Sequence, residues 1–203
     1  MPFKLAVLIS GRGTNLCSLL ESFSVDDTIK IAVVLSDKKE APGLIKAEKA
    51  EIPSFFVNPQ EYSSKVEFEK VLLDKIKEYG CDLICLAGFM RILSPYFIKN
   101  AQSRIINIHP SLLPSFPGLH AQKQALEYGV KWSGCTMHFV DEGMDSGEII
   151  LQAAVPVLDA DTEDSLAERI LEKEHIIYPQ AVRMIAEKRF KVSGRRVIET
   201  EKE

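Results

Sequence analysis

No stretch of this 203-residue chain approaches the roughly 18 to 20 uninterrupted apolar residues that a membrane-spanning helix requires. The apolar opening, MPFKLAVLIS, is short, lacks a small-residue cleavage pattern and runs straight into GRGTN, so it reads as a buried strand rather than a secretory signal. Basic charge is also scarce: 25 Lys and Arg against 29 Asp and Glu leave a formal net charge of -4. That balance supplies no overall basic field of the kind that draws nucleic acid, and any anionic ligand must be held by local donors. The four cysteines, Cys17, Cys81, Cys85 and Cys135, include no Cys-x-x-Cys pair. They read as structural thiols and suit a reducing, cytoplasmic setting. His109, His120, His138 and His175 lack helical His-x-x-x-His or finger-like spacing, so no metal is expected. The G-x-S-x-G elbow of a serine hydrolase is missing, as are internal repeats and low-complexity linkers. With 46% hydrophobic residues, the chain is long enough for one sizeable α/β domain, expected to span residues 1–203.

What is present alternates. Phe3 to Ile9, Ile29 to Leu35, Pro53 to Val57, Asp82 to Ala87 and Ile105 to Ile108 are short apolar runs rich in β-branched residues, which suits parallel strands buried on both faces. Between them, Asn15 to Phe23, Leu44 to Ala50 and Ser64 to Tyr79 have helical character. The last carries capping-box spacing at Ser64 and Glu67, with Gly80 just past its end. Such alternation predicts a Rossmann-like, mostly parallel sheet flanked by helices, with ligands beyond the carboxyl ends of the strands. Further on, Cys135 to Val140 and Ile149 to Val157 flank the turn DEGMDSGE and predict a hairpin. A long helical pattern from Asp161 is expected to kink or break at Pro179, and the tail offers a small hairpin about Ser193-Gly194.

Three loops at strand ends are of interest, those after Ile9, Ala87 and Ile108. The first, Ser10-Gly-Arg-Gly-Thr-Asn15, precedes a helix, so its backbone amides and the positive helix end are placed to cradle a phosphate. A dinucleotide site fits less well: Leu16 stands where a third glycine is needed, and two lysines follow Asp37, the candidate ribose acid. The third loop follows Asn107-Ile-His109-Pro. Residues two apart on a strand project to one side, so an amide and an imidazole would meet one reacting group at the sheet's end. That pair suits attack on a carbonyl-like carbon, the amide polarising an oxygen and the imidazole moving a proton. Asp145, in the hairpin turn, is the leading candidate for the carboxylate partner and Asp141 the second; the alternative is an aspartate that only stabilises its turn. His138 reads as a strand residue or a supporting partner.

The segments SGRGTNL, LAGFMRILSP, NIHPSLLPSFPGLHAQKQAL, HFVDEGMDSGEIILQ and EHIIYP, in that order, closely resemble the folate-dependent formyltransferases, and within them the glycinamide ribonucleotide branch. The resemblance implies the formyltransferase fold, with a C-terminal hairpin and helix region. It also implies formyl transfer from 10-formyltetrahydrofolate to the amine of 5-phosphoribosylglycinamide in purine synthesis, without a metal. Asn107, His109 and Asp145 would be catalytic. Gly13, Thr14 and Asn15 would bind the phosphate and Glu174 the ribose. The backbone of Met90, Arg91, Ile92 and Leu93 would meet the pterin, with Asn107 and the turn from Asp141 to Asp145 beside it, and Lys65 would lie near the folate's glutamate tail. Arg12 and Thr14 depart from the small or polar residues familiar in the loop, which bears on side-chain contacts to the phosphate but not on backbone ones. The methionyl-tRNA formyltransferases normally carry a further RNA-binding domain and the formyltetrahydrofolate hydrolases a regulatory one, and neither is expected here. The hydrolase and a non-catalytic folate or phosphate binder stand as alternatives. Oligomeric state stays open.

Overall fold

The computed structural model describes residues 1–201, which form two compact units divided between Ile106 and Asn107. In the first, strands β1 (Phe3–Ile9), β2 (Ile29–Ser36), β3 (Ser54–Phe56) and β4 (Leu83–Leu86) lie in the order β3-β2-β1-β4. All neighbours pair in parallel, β1 taking both β2 and β4. Leu5 to Ile9 are fully buried, the outcome expected of a central strand covered on both faces.

Parallel strands need crossovers, and helices α1 (Thr14–Phe23), α2 (Pro42–Lys49) and α3 (Lys65–Glu78) supply them. Helix α2 starts two residues before the expected Leu44, because Pro42 fits the first helical turn, where its missing N–H costs nothing. The Ser64 hydroxyl accepts the Glu67 N–H at 3.2 Å, as a capping box requires. The return bond is shifted by one residue: the Glu67 carboxylate takes the N–H and hydroxyl of Ser63 instead. A short helix α4 (Pro95–Asn100), capped by Ser94, follows β4. Six residues are too few to show helical periodicity, and sequence reading missed it. Strand β5 (Arg104–His109) begins in the first unit, and its last three residues open the second.

The second unit continues with α5 (Ala121–Tyr128), β6 (Trp132–Phe139), β7 (Ile149–Pro156), α6 (Glu163–Ala186) and the terminal hairpin β8 (Phe190–Ser193) and β9 (Arg196–Glu199). Strands β6 and β7 form the expected antiparallel hairpin, with a register shift between Met137 and His138. Strand β9 adds in parallel to β7 at Ile149 and carries β8 outside it. Helix α5 had no readable start, since its N-cap is His120 in a left-handed conformation that makes no side-chain cap.

Of the kink or break expected at Pro179, the break is not found, for α6 is one helix from Glu163 to Ala186. A proline forfeits one backbone bond, but Ile177, Tyr178, Ala181 and Val182 around it are buried, and that apolar seam holds the helix through the gap. At its start Thr162 and Ser165 cap each other reciprocally, and Arg169 grips Asp161 through two bonds of 2.7 Å.

The Arg169 guanidinium, with the Leu158 N–H and the Ser165 hydroxyl, holds the Asp161 carboxyl well below the usual carboxylate range. A folded-state pKa lowered in this way gives stability that is present above the ordinary value of 3.8 and is lost as pH falls through the folded one. Asp161→Asn is therefore expected to melt lower than the unmodified chain at pH 7. The gap should shrink steadily below about pH 4, as scanning calorimetry across pH would show; a gap independent of pH would mean the ion pair contributes nothing.

Candidate functional site

In the first unit the loop after β1 is shaped by two glycines. Gly13 is the N-cap of α1 at φ 66°, with no side-chain cap, so the first amides of the helix are left to backbone geometry and ligand. A Cβ on Gly13 would lie 2.8 Å from the Gly43 Cα, and one on Gly43 would lie 2.4 Å from Ile9 Cδ1. The Gly43 N–H donates to the Gly11 carbonyl at 3.2 Å and Lys46 Nζ to the Arg12 carbonyl at 2.8 Å, which turns the loop's carbonyls toward α2. Carbonyls facing away from the helix axis leave amides facing the other way, the arrangement an anion needs. Thr14 is half-buried, Asn15 is buried and Arg12 is exposed.

Asp37 does not stand free to read a ribose. Its carboxylate accepts the Ser10 hydroxyl at 2.6 Å and has Arg91 Nε 3.8 Å away. The same Ser10 hydroxyl accepts the Met90 N–H at 2.9 Å, so the glycine loop and the Met90 to Leu93 segment are joined at their roots. At the other end of that segment, the buried Glu69 carboxylate takes both the N–H and the hydroxyl of Ser94. Met90 and Ile92 present exposed side chains, Leu93 is buried, and Arg91 lies over the Phe68 ring. Lys65 is exposed in the first turn of α3.

The second unit brings Asn107, His109 and Asp145 together, and adds His138. His109 and Asn107 stand on the same side of β5. The Asp145 Oδ2 atom lies 3.4 Å from His109 Nδ1 and accepts the Gly118 N–H at 2.8 Å, while Oδ1 lies 3.7 Å from His138 Nε2. Asp145 reaches this position from φ 49°, a left-handed conformation that aspartate and asparagine tolerate better than other residues.

A carbonyl oxygen can only accept, and this fixes which nitrogens carry hydrogen. His109 Nε2 donates to the Phe116 carbonyl at 2.9 Å, so in the neutral ring Nδ1, which faces Asp145, carries the lone pair. His138 Nδ1 donates to the Phe139 carbonyl at 2.8 Å, and its Nε2 lone pair takes the Asn107 amide at 3.2 Å. Burial lowers the His138 pKa, with the Phe139 carbonyl and Asp145 opposing. Sequence reading gave His138 only a supporting place. That place fits the bonds found, and the register shift at Met137/His138 is where the ring is turned toward Asn107.

Other expected residues lie apart from this cluster's bonds. The Asp141 carboxylate accepts the Gly143 N–H at 3.0 Å and the Ser146 hydroxyl at 2.7 Å, and so builds the turn that carries Asp145. Gly147 ends that turn, where a Cβ would fall 1.8 Å from the Phe139 carbonyl oxygen. Glu174 is buried on α6, and with burial it helps push the Cys135 thiol up to about 12. The described cysteines are free thiols, three of them buried. Among the described residues, no group of three or more His, Cys, Asp or Glu is placed to hold a metal ion, and no helix is long and apolar enough to cross a membrane.

Strain at φ 66° together with the approach to Gly43 predicts that Gly13→Ala destabilises the chain by roughly 1 to 3 kcal/mol. Gly11→Ala, with nothing within 4 Å of the added carbon, should stay close to the unmodified chain in urea unfolding. Equal midpoints for the two variants would refute the packing argument.

A family model described as formyl transferase matches residues 3–182. The phosphoribosylglycinamide formyltransferase of Escherichia coli K12 is 41% identical over 190 residues, which cover 93% of this chain and 89% of that protein. The human trifunctional purine biosynthetic protein adenosine-3 is 47% identical over 184 residues; these are 90% of this chain but only 18% of that protein. Against the fruit-fly form of the same trifunctional protein, the chain spans 14% of its length. The structure of glycinamide ribonucleotide transformylase 1 from Symbiobacterium toebii superposes with a TM-score of 0.96 at 48% identity, covering 98% of this chain and 95% of that one. It carries the mixed α/β architecture expected from sequence, a mostly parallel sheet flanked by helices with a C-terminal antiparallel hairpin. A family match over most of the chain, relatives above 40% identity and a near-complete structural superposition lead to one conclusion: this chain belongs to the formyl transferase family.

Proposed function

We propose that the chain transfers the formyl group of 10-formyltetrahydrofolate to the primary amine of 5-phosphoribosylglycinamide, a step of de novo purine synthesis. The observation that carries this reading is the convergence of Asn107, His109 and Asp145 in a chain whose close relatives bear that transferase name. The relatives give no support to the hydrolase or to a non-catalytic binder.

In this reading the amine nitrogen attacks the formyl carbon, and the carbonyl oxygen becomes negative in a tetrahedral intermediate. One Asn107 amide hydrogen is directed at His138, and the second is the donor to that oxygen, with the His109 imidazolium beside it. The attacking nitrogen loses a proton and the folate N10 gains one as the carbon–nitrogen bond breaks. Asp145 and His109 Nδ1 carry that proton, because the carboxylate favours the imidazolium that forms when Nδ1 is protonated. The separation of 3.4 Å is longer than an ordinary N–H···O bond of about 2.7 to 3.2 Å, and in this reading the pair must close by a few tenths of an ångström when charge develops. Neutral His138 serves the same end by fixing which way the Asn107 amide faces.

The amides at Gly13, Thr14 and Asn15 would hold the substrate phosphate, and Glu174 would accept the ribose hydroxyls. The backbone from Arg91 to Leu93 would meet the pterin; the Met90 N–H is already given to Ser10. Asp141 acts through its turn, and Lys65 would lie by the glutamate tail.

The deciding experiment is turnover by the purified chain with both substrates, followed through release of tetrahydrofolate. Asp145→Asn keeps an oxygen for the Gly118 N–H and suits φ 49°, so it should melt near the unmodified chain. Removing its charge should slow transfer by about 10² to 10⁴. Normal turnover with a lowered melting temperature would make Asp145 a turn residue and dissolve the catalytic group.

For Glu174→Gln, the expected outcome is a raised KM for phosphoribosylglycinamide with kcat much less affected, because the amide keeps the shape but loses a charge-assisted acceptor. A large fall in kcat at unchanged KM would argue for proton transfer there instead.

A further inference from the structure

One buried acid has no part in that chemistry. Asp37 follows β2, its side chain is 2% exposed, and a carboxylate so enclosed is retained only where its bonds accomplish something. It takes the single hydrogen of the Ser10 hydroxyl at 2.6 Å. A hydroxyl has one hydrogen, so with that hydrogen committed to Asp37 the oxygen can meet the Met90 N–H only as an acceptor, as found at 2.9 Å. With no acceptor oxygen at position 37, the hydroxyl is free to rotate its hydrogen elsewhere. The Ser10 backbone is itself held, its N–H donating to the Gly88 carbonyl at 3.0 Å.

We propose that Ser10 and Asp37 are a positioning pair that fixes the start of the Met90 to Leu93 segment, and thereby sets affinity for the folate rather than for the phosphorylated substrate. The pair acts through Met90 and does not itself touch the reacting atoms. The proposal rests on the assignment of that segment to the pterin made above. Only one end of the segment depends on the pair, because Glu69 anchors Ser94 at the other. Losing the pair thus loosens the segment without releasing it. The phosphate loop has its own ties to α2 through Gly43 and Lys46, and those do not pass through the Ser10 side chain.

The test compares Ser10→Ala, Asp37→Ala and Asp37→Asn in the full-length chain, by steady-state kinetics with both substrates and by amide hydrogen exchange without ligand. Ser10→Ala and Asp37→Ala should raise the KM for 10-formyltetrahydrofolate by about tenfold, with the KM for phosphoribosylglycinamide and kcat within about threefold of the unmodified chain. Asp37→Asn still offers an oxygen to the hydroxyl and should recover most of the loss. Exchange at the Met90 amide should speed up in both alanine variants and not in the asparagine one. An unchanged folate KM, an equal rise in both KM values, or an unchanged Met90 amide would each overturn the positioning role. The exchange measurement also separates the two ideas. An unmodified chain that turns over neither substrate defeats the functional assignment, whereas faster Met90 exchange in the alanine variants still reports the tie.

Discussion

The Asp145 carboxylate accepts the Gly118 N–H and faces two imidazoles, and the irregular chain of the second unit is arranged around keeping that charge where it is. With its side chain 15% exposed, the group has lost most of its water, and an ionised carboxylate in that position needs donors on several sides. The backbone supplies one through the Gly118 N–H, and the His109 ring lies 3.4 Å away. The loop after β5 is held in turn: His109 Nε2 donates to the Phe116 carbonyl, and the Ser111 hydroxyl donates back to the carbonyls of Ser115 and Phe116. A segment that reads as irregular chain is thus a cage of short polar contacts with the carboxylate at one wall.

The two histidines show how backbone oxygens assign chemistry to identical side chains. Each gives one N–H to a carbonyl, but opposite nitrogens do so, and the opposite nitrogen is therefore left to work with. His109 faces Asp145 with Nδ1, 3.4 Å from the carboxylate. His138 meets an amide with Nε2, where a proton would collide with the Asn107 N–H, and burial works in the same direction. Ring orientation rather than residue type decides which nitrogen of each imidazole faces the carboxylate and which faces the amide.

Much of this was legible in the sequence because the signals were local. Buried parallel strands show as short β-branched runs, so β1, β2, β4 and β5 were placed within a residue or two. Asn107 and His109 share a face by strand geometry alone, and Gly13 announces a turn. Long-range pairings were not legible. Nothing in the spacing links Asp37 to Ser10, and a ribose-binding acid and a buried anchor look alike until the hydroxyl is seen between them. Helix α5 escaped because its N-cap conformation is imposed by the chain before it rather than by a capping side chain. The break expected at Pro179 failed because a proline's local cost was weighed without the apolar packing on either side of it.

The contact between Gly13 and Gly43 reaches beyond stability. A Cβ on Gly13 would come within 2.8 Å of the Gly43 Cα, whereas one on Gly43 would first meet Ile9 Cδ1 at 2.4 Å, with the Gly13 Cα at 3.3 Å. Replacement of Gly13 is therefore opposed by the backbone at the start of α2, and a larger residue at Gly43 needs Ile9 to move as well. The loop's evolution is thereby governed by a residue of α2 thirty positions downstream. Swapping the loop alone into a related scaffold, without the matching start of α2, would import the sequence of the cradle and lose its shape.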